Sequence, residues 1–181
     1  YFTLYLIKTI SNPPIVYRES NSILASRNNH SINFGDEIGH QIEINKNLFS
    51  NTNFIGNFSI SQRHKNDEME SINIIDLIAM NEVNEVFDYN PFRQFYFEMN
   101  GWTLLDRLYY KVGLDHFTEF IDGKSTSAIT IPTQWVWKFD NLSSLTIYLE
   151  TQKKYLKGLL ENEEYSNNYF SFSYNHFGKW T

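Results

Sequence analysis

Arg107-Leu108-Tyr109-Tyr110-Lys111-Val112-Gly113-Leu114-Asp115 is the stretch that decides the fold. Leu108, Tyr110, Val112 and Leu114 share one side of an extended chain, and Arg107, Tyr109, Lys111 and Asp115 share the other. A period of two is the signature of a strand with one apolar and one wet face. The pattern recurs upstream and downstream. Phe95, Phe97 and Met99 oppose Gln94, Tyr96, Glu98 and Asn100. Further upstream, Ile38, His40, Ile42 and Ile44 oppose Gln41, Glu43 and Asn45. Phe54, Gly56, Phe58 and Ile60 oppose Asn57, Ser59, Ser61 and Arg63. Downstream, Ile129, Ile131, Thr133, Trp135, Trp137 and Phe139 oppose Thr130, Gln134 and Lys138. Leu145, Ile147 and Leu149 oppose Thr146, Tyr148, Glu150 and Gln152. Phe170, Phe172 and Tyr174 oppose Ser171, Ser173 and Asn175.

These runs predict an all-β, antiparallel up-and-down meander of about seven or eight long strands. It would form an outer-membrane-type barrel or an open arc of one. Residues 1–36 read as less regular: a strand remnant over 1–10, a break at Asn12-Pro13-Pro14, then mixed sequence with short strand pieces. Residues 37–181 read as hairpin repeats within a single region 1–181. Within the polar excursion 65–92, Ile72, Ile75 and Ala79 abandon alternation and predict a short helix. Asn100-Gly101 is a strong turn dipeptide, with Trp102 to Asp106 widening the turn. Connections near 49–53, 100–105, 140–142 and 177–179 read as short. Those at 65–92, 121–127 and 158–167 read as long. Short turns at one end and long loops at the other are the habit of outer-membrane barrels.

Composition points the same way. Aromatic residues make up 17% of the 181, with 12 Tyr, 15 Phe and 4 Trp. Tyr and Trp suit an interface that is apolar on one side and wet on the other. No apolar run approaches the roughly 20 residues of a transmembrane helix, so contact with a bilayer would be made by strands. Cysteine is absent, which excludes disulfides and thiolate metal sites. A formal charge of −6 without a Lys/Arg cluster argues against a nucleic-acid partner. The chain opens on Tyr1 without a leader and stops in what reads as a turn, so it is expected to be a piece of a longer barrel.

Several stretches carry a resemblance. They are Asn12-Pro13-Pro14-Ile15-Val16-Tyr17-Arg18-Glu19, Leu24-Ala25-Ser26-Arg27-Asn28-Asn29-His30, Phe34-Gly35-Asp36-Glu37-Ile38-Gly39-His40-Gln41-Ile42-Glu43, and Tyr89-Asn90-Pro91-Phe92-Arg93-Gln94 with the hairpin after it. They resemble the later part of a DUF6029-like family of uncharacterised Gram-negative outer-membrane β-barrel proteins. The resemblance implies location and architecture. It carries over no catalytic residue.

The polar faces nominate a lumen-facing set: Glu98, Arg107, Tyr109, Lys111, Gln134, Lys138, Glu150 and Lys154. Such residues either steer solutes or pair across strands to stiffen the interior. The apolar faces nominate a lipid-facing set: Phe95, Phe97, Leu108, Tyr110, Val112, Leu114, Ile129, Ile131, Trp135, Trp137, Leu145, Ile147, Leu149, Phe170 and Phe172. Trp102, Tyr110, Trp135 and Trp137 are candidates for an aromatic girdle, with a packed aromatic core as the alternative.

No catalytic set, metal site or cofactor is expected. His30, His40, His64, His116 and His176 form no local ligand pair. The acidic clusters Asp67-Glu68-Met69-Glu70 and Glu161-Asn162-Glu163-Glu164 match no calcium loop and read as solvated loop charge. The eight glycines form no phosphate loop, and no nucleophile elbow occurs. The expected function is a structural or porin-like barrel whose partners are membrane lipid, small solutes and the rest of the barrel. Two alternatives stand beside it. One is a soluble β-sandwich or barrel binding a glycan through an aromatic face. The other is an outer-membrane hydrolase, which needs a Ser-His pair close in space.

The lipid assignment makes a prediction in adjacent residues. Ile131→Arg should cost about 2–4 kcal/mol in equilibrium unfolding if the position faces the bilayer midplane. Thr130→Arg, on the wet side, should be tolerated.

Overall fold

The computed structural model describes residues 2–7, 22–26, 37–49, 51–63, 91–121, 124–140, 142–158 and 162–176. Eight strands lie side by side in sequence order, each antiparallel to the next. They are β1 (Phe2–Ile7), β2 (Glu37–Phe49), β3 (Thr52–Arg63), β4 (Phe92–Thr103), β5 (Leu108–Ile121), β6 (Lys124–Lys138), β7 (Ser143–Lys157) and β8 (Asn162–His176). One helical turn, α1 (Ile23–Ser26), falls between β1 and β2. The architecture is the all-β, up-and-down meander that the alternation predicts. Among the described residues β1 and β8 do not pair with each other, so the sheet is open.

An antiparallel ladder fixes which side of the sheet each residue takes, because cross-strand partners share a face. One register row runs Glu43, Asn57, Tyr96, Asp115, Thr130, Gln152, Asn167 from β2 to β8. The rows two residues away on each strand lie on the same face, and the rows between lie on the other. The polar half of the alternation is thereby gathered on one side of the sheet and the apolar half on the other.

The connections partly revise the sequence reading. Asn100 and Gly101 are not a turn; they pair within β4 to both neighbouring strands. The chain reverses instead at 104–107, where Leu104, Leu105 and Asp106 all take positive φ (52°, 56° and 65°). Three such non-glycine residues in succession form a strained turn. The expected long loop at 121–127 closes within two residues, since Ile121 pairs with Lys124. The expected acidic loop at 158–167 is mostly strand: Glu163 and Glu164 pair with Leu156 and Tyr155. The short strand pieces expected over 15–36 give way, at 22–26, to a helical turn. The helix expected within 65–92 lies outside the described residues. End asymmetry survives in another form. The two long connections, 8–36 and 64–91, leave from one end, while the opposite end has only the connections 50–51, 104–107 and 139–142.

Two glycines fit close approaches rather than turns. A Cβ on Gly101 would lie 2.1 Å from the Asn51 carbonyl oxygen, which accepts a hydrogen bond from the Trp102 amide at 3.0 Å. Only glycine lets β4 come that near the β2–β3 turn. At Gly113 a Cβ would meet the Pro132 ring at 3.0 Å. Pro132 sits inside a central strand and has no amide proton to donate. The β5–β6 ladder correspondingly skips from Val112–Thr133 to Asp115–Thr130.

Gly101→Ala is therefore expected to destabilise the sheet by about 1–3 kcal/mol, because a backbone must shift. Gly56→Ala, whose Cβ would meet nothing nearer than 3.4 Å, is expected to stay within about 0.5 kcal/mol of the parent. Denaturant unfolding of both variants checks the contrast.

Candidate functional site

The two faces of the sheet differ in the reverse of the usual sense. Thr130 is 0% exposed while Ile131 beside it is 44% exposed; Glu150 is 2% exposed while Leu149 is 42% exposed. In a water-soluble sheet with one packed face, the apolar side is the covered one. Here the covered face carries Asn57, Ser59, Gln94, Glu98, Asp115, Thr130, Glu150 and Gln152. The open face carries Phe97, Ile129, Ile131, Trp135, Trp137, Phe170 and Phe172.

Buried polar groups need partners, and the covered face is built as linked clusters. Glu98 is the hub of one. Its Oε2 lies 3.0 Å from Lys111 Nζ and also accepts the Tyr96 hydroxyl, and its Oε1 accepts Asn100 Nδ2 at 2.7 Å. Tyr96, Glu98 and Asn100 converge because they alternate along β4, and Lys111 stands opposite Asn100 on β5. A second cluster joins Gln94 Nε2 to Asp115 Oδ1 at 2.7 Å. Asn57 accepts the Ser59 hydroxyl at 2.8 Å, and its own Nδ2 has no acceptor among the described residues. Toward the end with the long connections, Phe92, Phe117 and Ala128 add an apolar patch to this face.

The third cluster holds α1 against the wall. The amides of Ile23 and Leu24 donate to Glu150 Oε1 and Oε2 at 2.7 and 2.6 Å. The Ala25 amide donates to Ser22 Oγ at 3.0 Å, so Ser22 acts as the helix cap. Gln152 Nε2 donates both to the Leu24 carbonyl at 3.0 Å and to Thr130 Oγ1 at 2.9 Å, while its Oε1 accepts from Asn167 at 3.2 Å. One turn of chain is thus tied to β6, β7 and β8.

On the open face the side chains meet across strands: Phe58 with Phe95 at 4.7 Å between ring centres, and Tyr110 with Trp135 at 6.4 Å. All fifteen residues expected to face lipid lie on this side by register. Phe95, Leu108, Tyr110, Leu145 and Ile147 are half-buried and the other ten are exposed. Of the residues expected to line a lumen, Glu98, Tyr109, Lys111, Gln134, Glu150 and Lys154 lie on the covered side. Arg107 does not belong to the wall; it is exposed in the 104–107 turn, where its carbonyl accepts the Lys138 amide. Lys138 caps the rim of β6, its Nζ 3.8 Å above the Trp102 ring. Trp102 pairs with Tyr109, on the polar side, and so leaves the proposed girdle. Thr130 is fully enclosed and bonded to Gln152, so an arginine there has no room, contrary to the tolerance expected of it.

The alternation already placed Gln94, Tyr96, Asp115 and Gln152 on the wet side, yet only their packing reveals them as members of clusters. Nothing in the sequence spacing ties Ser22–Ala25 to Glu150, more than 120 residues away.

A Ser-His contact does occur. Ser143 Oγ lies 2.9 Å from His176 Nδ1 at the end of the β7–β8 pair. The nearby carboxylate, Asp140, bonds to Ser143 and to the Leu142 amide rather than to the imidazole, and these bonds hold its carboxyl below the usual range, the Leu142 amide contributing most. A hydrolytic relay needs the imidazole between nucleophile and carboxylate; here the serine stands between. Among the described residues no group of three His, Asp or Glu is placed to hold a metal ion, and no helix is long and apolar enough to cross a membrane.

No protein-family model, curated protein or solved structure matches the chain. The DUF6029-like resemblance rests on the quoted stretches alone.

The Glu98 hub yields a measurable coupling. A double-mutant cycle over Glu98→Gln and Lys111→Met is expected to return an interaction of about 1–3 kcal/mol, since each single change strands a polar partner on the covered face. A coupling near zero would contradict the Glu98–Lys111 contact.

Proposed function

We propose that the chain forms the wall of an outer-membrane β-barrel in a Gram-negative bacterium. The barrel is structural or channel-like and has no catalytic chemistry of its own. Its apolar face meets lipid, its polar face surrounds a lumen of a kind that suits small solutes, and further strands pair with its edges. The observation that carries this reading is the inverted distribution of burial between Thr130 and Ile131 and between Glu150 and Leu149. An apolar surface this continuous is rare on a soluble monomer, and hydrocarbon is the solvent that suits it. In hydrocarbon no strand edge can stay unpaired, which is why additional strands belong to the proposal.

The apolar belt supports the reading in a second way, because it runs obliquely to the register. The row Lys46, Phe54, Met99, Val112, Thr133, Leu149, Phe170 starts charged on β2 and ends apolar on β8. The row Ile42, Phe58, Phe95, His116, Ile129, Lys153, Ser166 does the opposite. The belt is centred on Phe97 in β4, level with Leu114, and on Phe172 in β8, whose row reaches β5 at Tyr110. Four strand steps thus move the belt four residues. One residue of about 3.3 Å per interstrand spacing of about 4.8 Å corresponds to strands tilted by roughly 35°. Strands of membrane barrels tilt by about 35–45°. On β6 the apolar positions run from Ile129 to Trp137, matching the roughly 9–11 residues a tilted strand needs to cross. Trp135, Trp137, Tyr110 and Tyr174 gather toward the end with the short turns, as girdle residues at one interface would.

Arginine substitution separates the lipid reading from a soluble one, because the positions tested are already exposed. Phe172 is 69% exposed. In phosphatidylcholine vesicles Phe172→Arg is expected to cost about 2–4 kcal/mol in denaturant unfolding, and Ser173→Arg, on the other face, no more than about 1 kcal/mol. A protein that folds as a monomer in buffer without detergent, with Phe172→Arg neutral, contradicts the proposal and favours the soluble ligand-binding alternative.

A further inference from the structure

The helical turn on the covered face has a function to explain. Its residues Ser22, Leu24 and Ala25 are buried against a wall that at Thr130, Glu150 and Gln152 is polar. Its two leading amides are matched one to one with the two oxygens of a single carboxylate. These are charge-assisted bonds, the stronger class. At the other side of the turn the Leu24 carbonyl is held by Gln152. Glu150 and Gln152 alternate along β7, so both project from the same face and grip one turn from two sides. Gln152 is itself braced by Thr130 on β6 and Asn167 on β8, which fixes the grip across three strands. The contact joins segments more than 120 residues apart, and two side chains of β7 hold the backbone of the turn.

We propose that Ser22–Ser26 is an internal stopper: latched by Glu150 and Gln152, it closes the polar face to solutes, and releasing the latch opens it. The proposal rests on reading that face as a lumen. A latch of this kind is reversible by design of its parts. Removing the carboxylate strands the two amides that it accepts from. An amide in its place gives a partial lesion, because Gln offers one acceptor oxygen and turns a donor toward the second amide.

The chain contains no cysteine, so a single introduced thiol reports cleanly. In Leu24→Cys the thiol occupies a position only 3% exposed. The reagent is a bulky, membrane-impermeant maleimide, and the whole protein is reconstituted in phosphatidylcholine–phosphatidylglycerol vesicles. Labelling is expected to be slow in this background and to accelerate on the order of tenfold or more when Glu150→Ala is added. Gln152→Ala and Glu150→Gln should fall between. Potassium chloride conductance across a planar bilayer is expected to rise in the same order, without Leu24→Cys present. Labelling that is already fast, or that ignores Glu150, overturns the latch. Faster labelling with unchanged conductance overturns the stopper while leaving the barrel reading intact. Failure of the parent protein to insert in either membrane overturns the barrel reading, and the stopper with it.

Discussion

A continuous antiparallel ladder leaves each residue two sides to choose from, and the rest of this structure depends on that restriction. Once seven successive strand pairs are in register, the side of Thr130 determines the sides of Tyr96, Asp115 and Gln152, and all their hydrogen-bonding groups are delivered to one surface. The apolar side chains are delivered to the other. No second sheet among the described residues covers the apolar surface, and the covered surface is the one rich in amides and carboxylates. The proposed barrel, apolar outside and polar inside, draws on this division. Burying carboxylates such as Glu98 and Glu150 is tolerable because each is met by several donors.

The sequence was most readable where the signal is periodic. Leu108 to Leu114 and Ile129 to Trp137 declare both strand and facing, because alternation is a local property that the ladder only has to respect. It was least readable at chain reversals. Asn100-Gly101 has the composition of a tight turn, yet the glycine fits the close carbonyl of Asn51, a contact set by a different hairpin. The reversal falls four residues on, at Leu104 to Asp106, where no turn-favouring residue but Asp106 is present. Strand length is likewise a tertiary property. Asn162 to Asn167 look like an acidic loop, but the long β7 offers them a full set of backbone partners, and pairing extends to the end of that template.

The candidate site was legible as a face and illegible as a set of contacts. Alternation assigned Glu98, Lys111 and Glu150 to the wet side, but it could not say that Glu98 would gather Tyr96 and Asn100 from its own strand. Thr130 shows the limit most clearly. Its facing was right, but its full enclosure comes from Gln152 and its surroundings, which no local pattern encodes. Trp102 and Tyr110 look alike as girdle residues, and only the register separates them, one over Lys138 on the polar side and one beside Trp135 on the apolar side. The helical turn at Ile23 to Ser26 depends on a carboxylate supplied from β7, so its own four residues carried little warning of it.

The most direct measurement is depth-resolved quenching by lipids brominated along their acyl chains, applied to variants that keep a single tryptophan. A protein retaining only Trp135 is expected to lose most of its fluorescence in such vesicles, and one retaining only Trp102 to lose little. Equal quenching at the two positions, or none at Trp135, would contradict the assignment of the open face to hydrocarbon.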